Sequence, residues 1–187
     1  MPARWIPLGL FALLLAALGW GLTREPTAIA APTLDRPLPE TNLPAFSSPD
    51  ATLGTAEVAA LAGGGAVLLN VWGSWCAACV TEHPVLTRIA EEEGVPLVGL
   101  NWRDTRLAGR AWLERHGDPY SLVLFDADSE WILELGVTGA PETFVVDGSG
   151  RIRHHHVGPV SERDWQLEIG PVVRGLQAAS EALPQSG

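Results

Sequence analysis

AVLLNVWGSWCAACVTEHP, residues 66–84, holds both cysteines of the chain and the change of pattern on which the fold turns. Ala66 to Trp72 is apolar except for Asn70, the kind of run that suits a strand buried on both faces. From Cys76 to Glu93 the sequence reads as a long helix, ended by a turn at Gly94. Cys76 therefore opens a helix. The unpaired N–H groups and the positive end of the macrodipole there stabilise a thiolate. Such a cysteine can have its pKa drawn from ~8.5 into the range ~3.5–7.5.

Cys79 lies within one turn of Cys76 and points inward, so the spacing offers an exposed nucleophile with a shielded partner. Thiol–disulfide exchange needs that pair: one sulfur attacks, a mixed disulfide forms, and the second attacks back. Glu82, on the same side of the helix as Cys79, is the candidate base for its proton. Pro84, inside the helix, is expected to kink it. Two other readings of the motif are weaker. Half a zinc site needs two more ligands, and the one candidate cluster, His154-His155-His156, sits where neighbouring strand residues face opposite sides. The triplet itself is read as a partly exposed strand. A structural disulfide would close a loop too small to remove much unfolded-state entropy.

The totals support chemistry over stapling. With 47% hydrophobic residues in 187, the chain can build a core without a disulfide framework. Its net charge is −10 and all 12 cations are Arg, which excludes a lysine nucleophile and disfavours nucleic acid as a partner.

The amino terminus reads as an inner-membrane anchor over residues 1–22. Trp5 to Leu22 carries no charge, at the short edge of the ~17–25 residues a spanning helix needs. Arg4 precedes it, and Trp5 and Trp20 mark its ends, so the positive-inside rule places the bulk of the chain in the periplasm. The competing reading is a signal peptide cleaved near Ala28-Ile29-Ala30. Residues 23–44, rich in Pro and Thr and without apolar period, read as an extended tether. A domain over 45–183 and a short tail, 184–187, complete the chain.

Within the domain, short apolar runs alternate with amphipathic segments. Helices are expected at Thr55–Leu61, Leu107–His116 and Glu130–Leu135, and strands at Val95–Asn101 and Ser121–Phe125. Glu142–Asp147 and Arg151–His156 flank a hairpin turn, and a closing helix starts at Ser161, interrupted near Pro171. Strands separated by helices should be parallel and the hairpin antiparallel. The fold class is α/β, a mixed sheet with helices on both faces.

Strand, WCxxC, helix and a proline five positions after the second cysteine resemble the thioredoxin superfamily, a three-layer sandwich. Gly139-Ala140-Pro141-Glu142-Thr143 matches its cis-proline loop, at Pro141. Leu69-Asn70-Val71-Trp72, Glu82-His83-Pro84, Asn101-Trp102-Arg103-Asp104, Phe125-Asp126-Ala127-Asp128 and Gly136 to Phe144 together resemble the CcmG/DsbE type, membrane-anchored reductants of cytochrome c maturation. The likeness runs from about Pro44 to Val173. It implies that Ala140 offers its backbone to substrate beside Pro141, that Trp75 covers the disulfide and contacts partners, and that Glu142 lies near the redox pair and touches substrate. Asn101 and Asp104 read as loop residues. Two departures stand out: Asn70 replaces the buried Asp of ordinary thioredoxins, which points to Glu82 as the base, and Ala77-Ala78 lacks the proline of many relatives.

The expected function is a periplasmic thiol:disulfide oxidoreductase, tethered by residues 5–22, that reduces apocytochrome c or a maturation-complex protein. A membrane thiol donor would recharge it, and no organic cofactor or metal is implied. The alternatives are a reductant for another exported client, such as a copper-site protein, a net oxidase, and a metal-binding module built from CxxC and the histidines.

Overall fold

The computed structural model describes residues 34–182, together with Phe11 and Leu13. The anchor, the cleavage site, the first part of the tether and the tail fall outside the described residues, Phe11 and Leu13 apart. Among the described residues no helix is long and apolar enough to cross a membrane.

Strand β3, Ala66–Trp72, is buried along its whole length and is the centre of the sheet. Side chains alternate across a strand. Val67, Leu69 and Val71 enter one core, and Ala66 and Leu68 enter another on the opposite face. Asn70 shares the face of Ala66 and Leu68, and is fully buried.

Two short strands precede it: β1, Leu43–Pro44, and β2, Thr52–Leu53. Beyond it lie β4, Leu97–Trp102, β5, Leu122–Asp126, β6, Glu142–Asp147, and β7, Ile152–Val157. The main sheet has the order β5-β4-β3-β6-β7. β3 pairs parallel with β4 and β4 with β5, while β6 runs antiparallel to both β3 and β7. The helices are α1, Thr55–Ala62, α2, Ala77–Glu92, α3, Arg106–His116, and α4, Glu130–Leu135. α2 and α3 make the crossovers that these parallel pairs require. Val58 of α1 and Trp131, Ile132 and Leu135 of α4 fill one face. Leu86 and Ile89 of α2 fill the other, with Trp165, Ile169 and Val173 from the last helical segment.

That segment opens at Ser161, whose hydroxyl accepts from the Asp164 N–H while the Asp164 carboxylate accepts from Ser161 N–H. It runs as α5, Glu162–Asp164, a π turn, Trp165–Ile169, and α6, Gly170–Glu181. Pro171 does not break it. Gly170 N–H bonds Trp165 O, five residues back, and the proline occupies the first turn of α6, where its missing N–H matters least. Pro84 likewise sits inside an unbroken α2.

The tether is the main correction. Residues 34–44 belong to the domain. Asp35 N–H donates to Ile152 O at 2.7 Å, Ile152 N–H to Arg36 O at 2.8 Å and Leu38 N–H to Gly150 O at 2.9 Å. Leu38 and Leu43 are buried in the core. Trp131 Nε1 donates to Thr41 O at 2.7 Å. Further on, Ala45 bridges Leu124 and Phe46 N–H donates to Val123 O at 2.9 Å, so the strap also covers the β5 edge. Irregular backbone hid these partners, because a strap pinned at scattered points has no period.

Candidate active site

Cys76 is the N-cap of α2, with extended backbone angles, and its sulfur accepts from Cys79 N–H at 3.1 Å. The two cysteines form a disulfide. The expected contrast between an open and a shielded sulfur is small here: Cys76 is 4% exposed and Cys79 1%. Phe46, Trp72, Trp112 and Leu113 share their apolar cluster, with Tyr120, Phe125 and Ala140 packed against it. Phe46 reaches that cluster from the strap. A Cβ on Gly109 would come within 2.7 Å of its ring, so α3 carries glycine where the ring crosses.

The turn before Cys76 is held from the loop after β4. Asp104 Oδ2 accepts from Ser74 N–H at 2.7 Å and Oδ1 from Ser74 Oγ at 2.7 Å. Asn101 Nδ2 donates to Asp104 Oδ2 at 3.1 Å. The sequence alone marks both as ordinary loop positions, but Asn101 lies within β4. They anchor the turn that presents the first sulfur. Trp75 is 50% exposed. Its ring is edge-on to Trp102 and its Nε1 donates to Trp102 O at 3.0 Å, so the ring leans toward the β4 loop.

The second loop reaches the same place because β6 pairs with β3, putting Glu142 opposite Val71, five residues before Cys76. The Ala140–Pro141 bond is cis, and Ala140 lies against the disulfide cluster. Glu142 is 1% exposed and faces inward. Its Oε1 accepts from Thr138 N–H and Thr138 Oγ1, each at 2.8 Å, and from Gly139 N–H at 3.1 Å. Its Oε2 meets His155 Nε2 at 2.6 Å. Burial acts to raise its pKa, but the bonds from His155, Thr138 and Gly139 together hold it below the ordinary value. Glu142 therefore clamps the loop that leads into Ala140 and Pro141.

Beneath Cys79 lies a buried polar chain. Glu82, 1% exposed, accepts from Asn70 Nδ2 at 2.9 Å and from Val160 N–H at 2.9 Å. Asn70 Nδ2 also donates to Thr143 Oγ1 at 3.0 Å, and Tyr120 OH donates to Asn70 Oδ1 at 2.8 Å. Tyr120 stacks on Trp72 at 5.6 Å, over Gly99, where a Cβ would meet the Trp72 nitrogen at 2.7 Å. Burial pushes the Glu82 pKa up to about 7, against the bonds from Val160 and Asn70. A carboxyl with that value sits near half-ionised at neutral pH, which suits a group that takes and returns a proton. Neighbouring His83 is packed edge-on to Trp112, and burial lowers its pKa.

The three histidines divide by strand alternation. His154 Nε2 and His156 Nδ1 meet the two oxygens of Glu168 at 3.0 and 3.4 Å, while His155 turns to the other face and Glu142. All three are engaged by carboxylates.

Comparison with known proteins agrees with this geometry. The redoxin family model matches residues 38–168, starting inside the strap. The chain is 46% identical over 172 residues to the thiol:disulfide interchange protein DsbE of Allochromatium vinosum, covering 92% of this chain and 93% of that one. It is 40% identical over 172 residues to the DsbE of Escherichia coli K12, covering 89% and 91%. Among solved structures, a secreted thiol-disulfide isomerase from Corynebacterium glutamicum is similar with a TM-score of 0.61 and 25% identity, over 74% of this chain and 84% of that one.

Proposed function

The chain belongs to the redoxin family, as a DsbE-type thiol:disulfide oxidoreductase, and we propose that it works as a membrane-tethered periplasmic reductant in cytochrome c maturation. The observation that carries the reductant reading is the Cys76–Cys79 pair at the start of α2 with the Glu82 carboxyl, its pKa about 7, three residues on.

The exchange follows from the atoms present. In the reduced protein the Cys76 thiolate, favoured by the helix N-terminus, attacks one sulfur of a client disulfide. A new S–S bond joins Cys76 to the client, and the client's other sulfur leaves as a thiolate. Cys79 then passes its proton to Glu82 and attacks the Cys76 sulfur. The second client thiolate leaves and the Cys76–Cys79 disulfide forms. Two electrons have moved to the client, and a dithiol donor must restore them. During docking, the backbone of Ala140 pairs with the client's extended chain beside Pro141, in the manner of an added strand.

The client is an apocytochrome c, or a maturation-complex protein carrying its electrons. Haem attachment needs a free C-x-x-C-H, and an oxidising periplasm closes that pair. The resemblance to reductants of cytochrome c maturation supports this choice, and the uncharged stretch Trp5–Leu22 supports the inner-membrane tether.

Alkylation trapping in cells tests the direction of flow. Cys76 and Cys79 are expected mostly as thiols under steady growth, and a fully oxidised pair overturns the reductant. In a Cys79→Ser strain the mixed disulfide should accumulate, and adducts that contain no apocytochrome or maturation protein overturn the client.

A further inference from the structure

The geometry points to His155 as a positioning residue for client binding, acting through Glu142 on the cis-proline loop. This rests on the reading of that loop as the client's docking site.

Glu142 holds the loop through a single oxygen. Oε1 takes the Thr138 N–H, the Thr138 hydroxyl and the Gly139 N–H, which are the residues leading into Ala140. The orientation of that carboxylate thus sets where the Ala140 backbone stands. The other oxygen is held by His155 alone among the described residues, at 2.6 Å. With the two oxygens fixed from opposite sides, the carboxylate plane cannot rotate.

His155 is itself held. Its ring lies flat on Phe144, 4.1 Å between centroids and 10° between planes, and Phe144 is its cross-strand partner. The side chain is 8% exposed. Arg153, two residues earlier at the irregularity in the β6–β7 pairing, is bound to Asp35 at 2.9 Å and does not take the place of the imidazole. The path runs from the Phe144 ring to His155, to Glu142, to Thr138 and Gly139, and ends at the peptide that meets the client. Only its last member, Ala140, lies against the disulfide cluster. A loss in this path should therefore weaken client capture more than the chemical steps.

Two variants separate the ring from the donor. His155→Phe keeps the stack on Phe144 and removes the N–H; His155→Gln keeps a donor and removes the stack. The reduced protein is assayed with a synthetic peptide carrying an oxidised C-x-x-C-H loop, and with hydroxyethyl disulfide, which has no peptide backbone to pair. In His155→Phe the KM for the peptide should rise about tenfold, as loss of a charge-assisted bond implies, with kcat changed less than about twofold. The peptide should lose more than hydroxyethyl disulfide, and His155→Gln should recover most of the KM. An unchanged KM, or equal loss with both disulfides, overturns the role. Should His155→Phe fail to fold, Thr138→Val, which removes only the hydroxyl bond to the same carboxylate, must raise the peptide KM in the same sense; an unchanged KM overturns the role there too. If the wild type shows no preference for the C-x-x-C-H peptide over oxidised glutathione, the cytochrome client falls. The KM series is then read with glutathione, whose peptide bonds can still pair, and decides His155 by itself.

Discussion

Asn70 donates its side-chain amide to Glu82 Oε1 at 2.9 Å, joining the strand that enters the redox turn to the helix that leaves it. Asn70 cannot take up a proton, yet it stands on the face of β3 that meets α2. Its partner can. Tyr120 OH donates to the Asn70 carbonyl oxygen, which leaves the amide N–H groups to face Glu82 and Thr143. The proton site is thus moved one layer out from the sheet, from strand to helix, and the asparagine serves to orient it.

The first consequence is kinetic. If Glu82 accepts the Cys79 proton, release of the mixed disulfide should quicken as pH rises through about 7, the value to which burial has pushed this carboxyl. Glu82→Gln should lose that inflection and slow the step by about 10²-fold. Stopped-flow fluorescence of client release, followed from pH 5 to 9, reads both. An inflection retained in the variant rejects the base.

The second consequence is thermodynamic. Glu82 keeps its proton to about pH 7 in the folded protein but releases it near 4.5 when unfolded. Between these values the folded state binds more protons, so stability falls as pH rises. The penalty is absent below pH 4.5 and complete above about 7, where it amounts to about 3 kcal/mol. Other carboxylates titrate as well, so the useful quantity is a difference. Relative to wild type, oxidised Glu82→Gln should gain stability from pH 5 to pH 8 in urea unfolding. A constant difference refutes the raised pKa.

How much of this could be read from the chain depends on the range over which each feature is encoded. The strand at Ala66–Trp72, the helix after Cys76 and the hairpin at Asp147 follow local pattern, and they fall where expected. Glu82 was visible for the same reason. Cys79, Glu82, His83, Leu86 and Ile89 are the buried residues of α2, and a carboxylate on that stripe is conspicuous. Asp104, Tyr120 and Phe46 were not legible as site residues. Each acts on a partner at least 26 positions away in sequence, Asp104 on Ser74, Tyr120 on Asn70 and Phe46 on Trp72. Nothing local announces such pairings. Glu142 stands out through its motif, but its bond to His155 lies across the hairpin and has no local signal.

The strap yields a stability prediction. Were residues 34–44 a loose tether, Leu38→Ala would leave thermal unfolding unchanged. Leu38 is 2% exposed within the core, so the truncation should cost about 2–5 kcal/mol. Phe46→Ala, at 5% exposure, should cost about 3–5 kcal/mol and open the cluster around the disulfide. Calorimetry of the oxidised variants beside Leu34→Ala, whose side chain is exposed, checks both. Equal melting for Leu34→Ala and Leu38→Ala returns the segment to the tether.

Asp104 carries the last prediction. Its two oxygens accept from Ser74 N–H, Ser74 Oγ, Asn101 Nδ2 and Thr105 N–H, so every approach to the carboxylate brings a donor. Asp104→Asn keeps the shape and turns one acceptor into an amide that faces donors. At least one of these bonds must then be lost, for about 1–3 kcal/mol. The loss falls on the turn from Gly73 to Trp75, which places Cys76 at the helix start, where the backbone favours its thiolate. Stability should therefore fall, and alkylation of Cys76 in the reduced protein should slow several-fold at pH 7. Ser74→Ala removes only the hydroxyl bond and should give a smaller change in the same direction. If Asp104→Asn melts lower but Cys76 reacts at the wild-type rate, the carboxylate holds the loop without helping to set the reactivity of the sulfur.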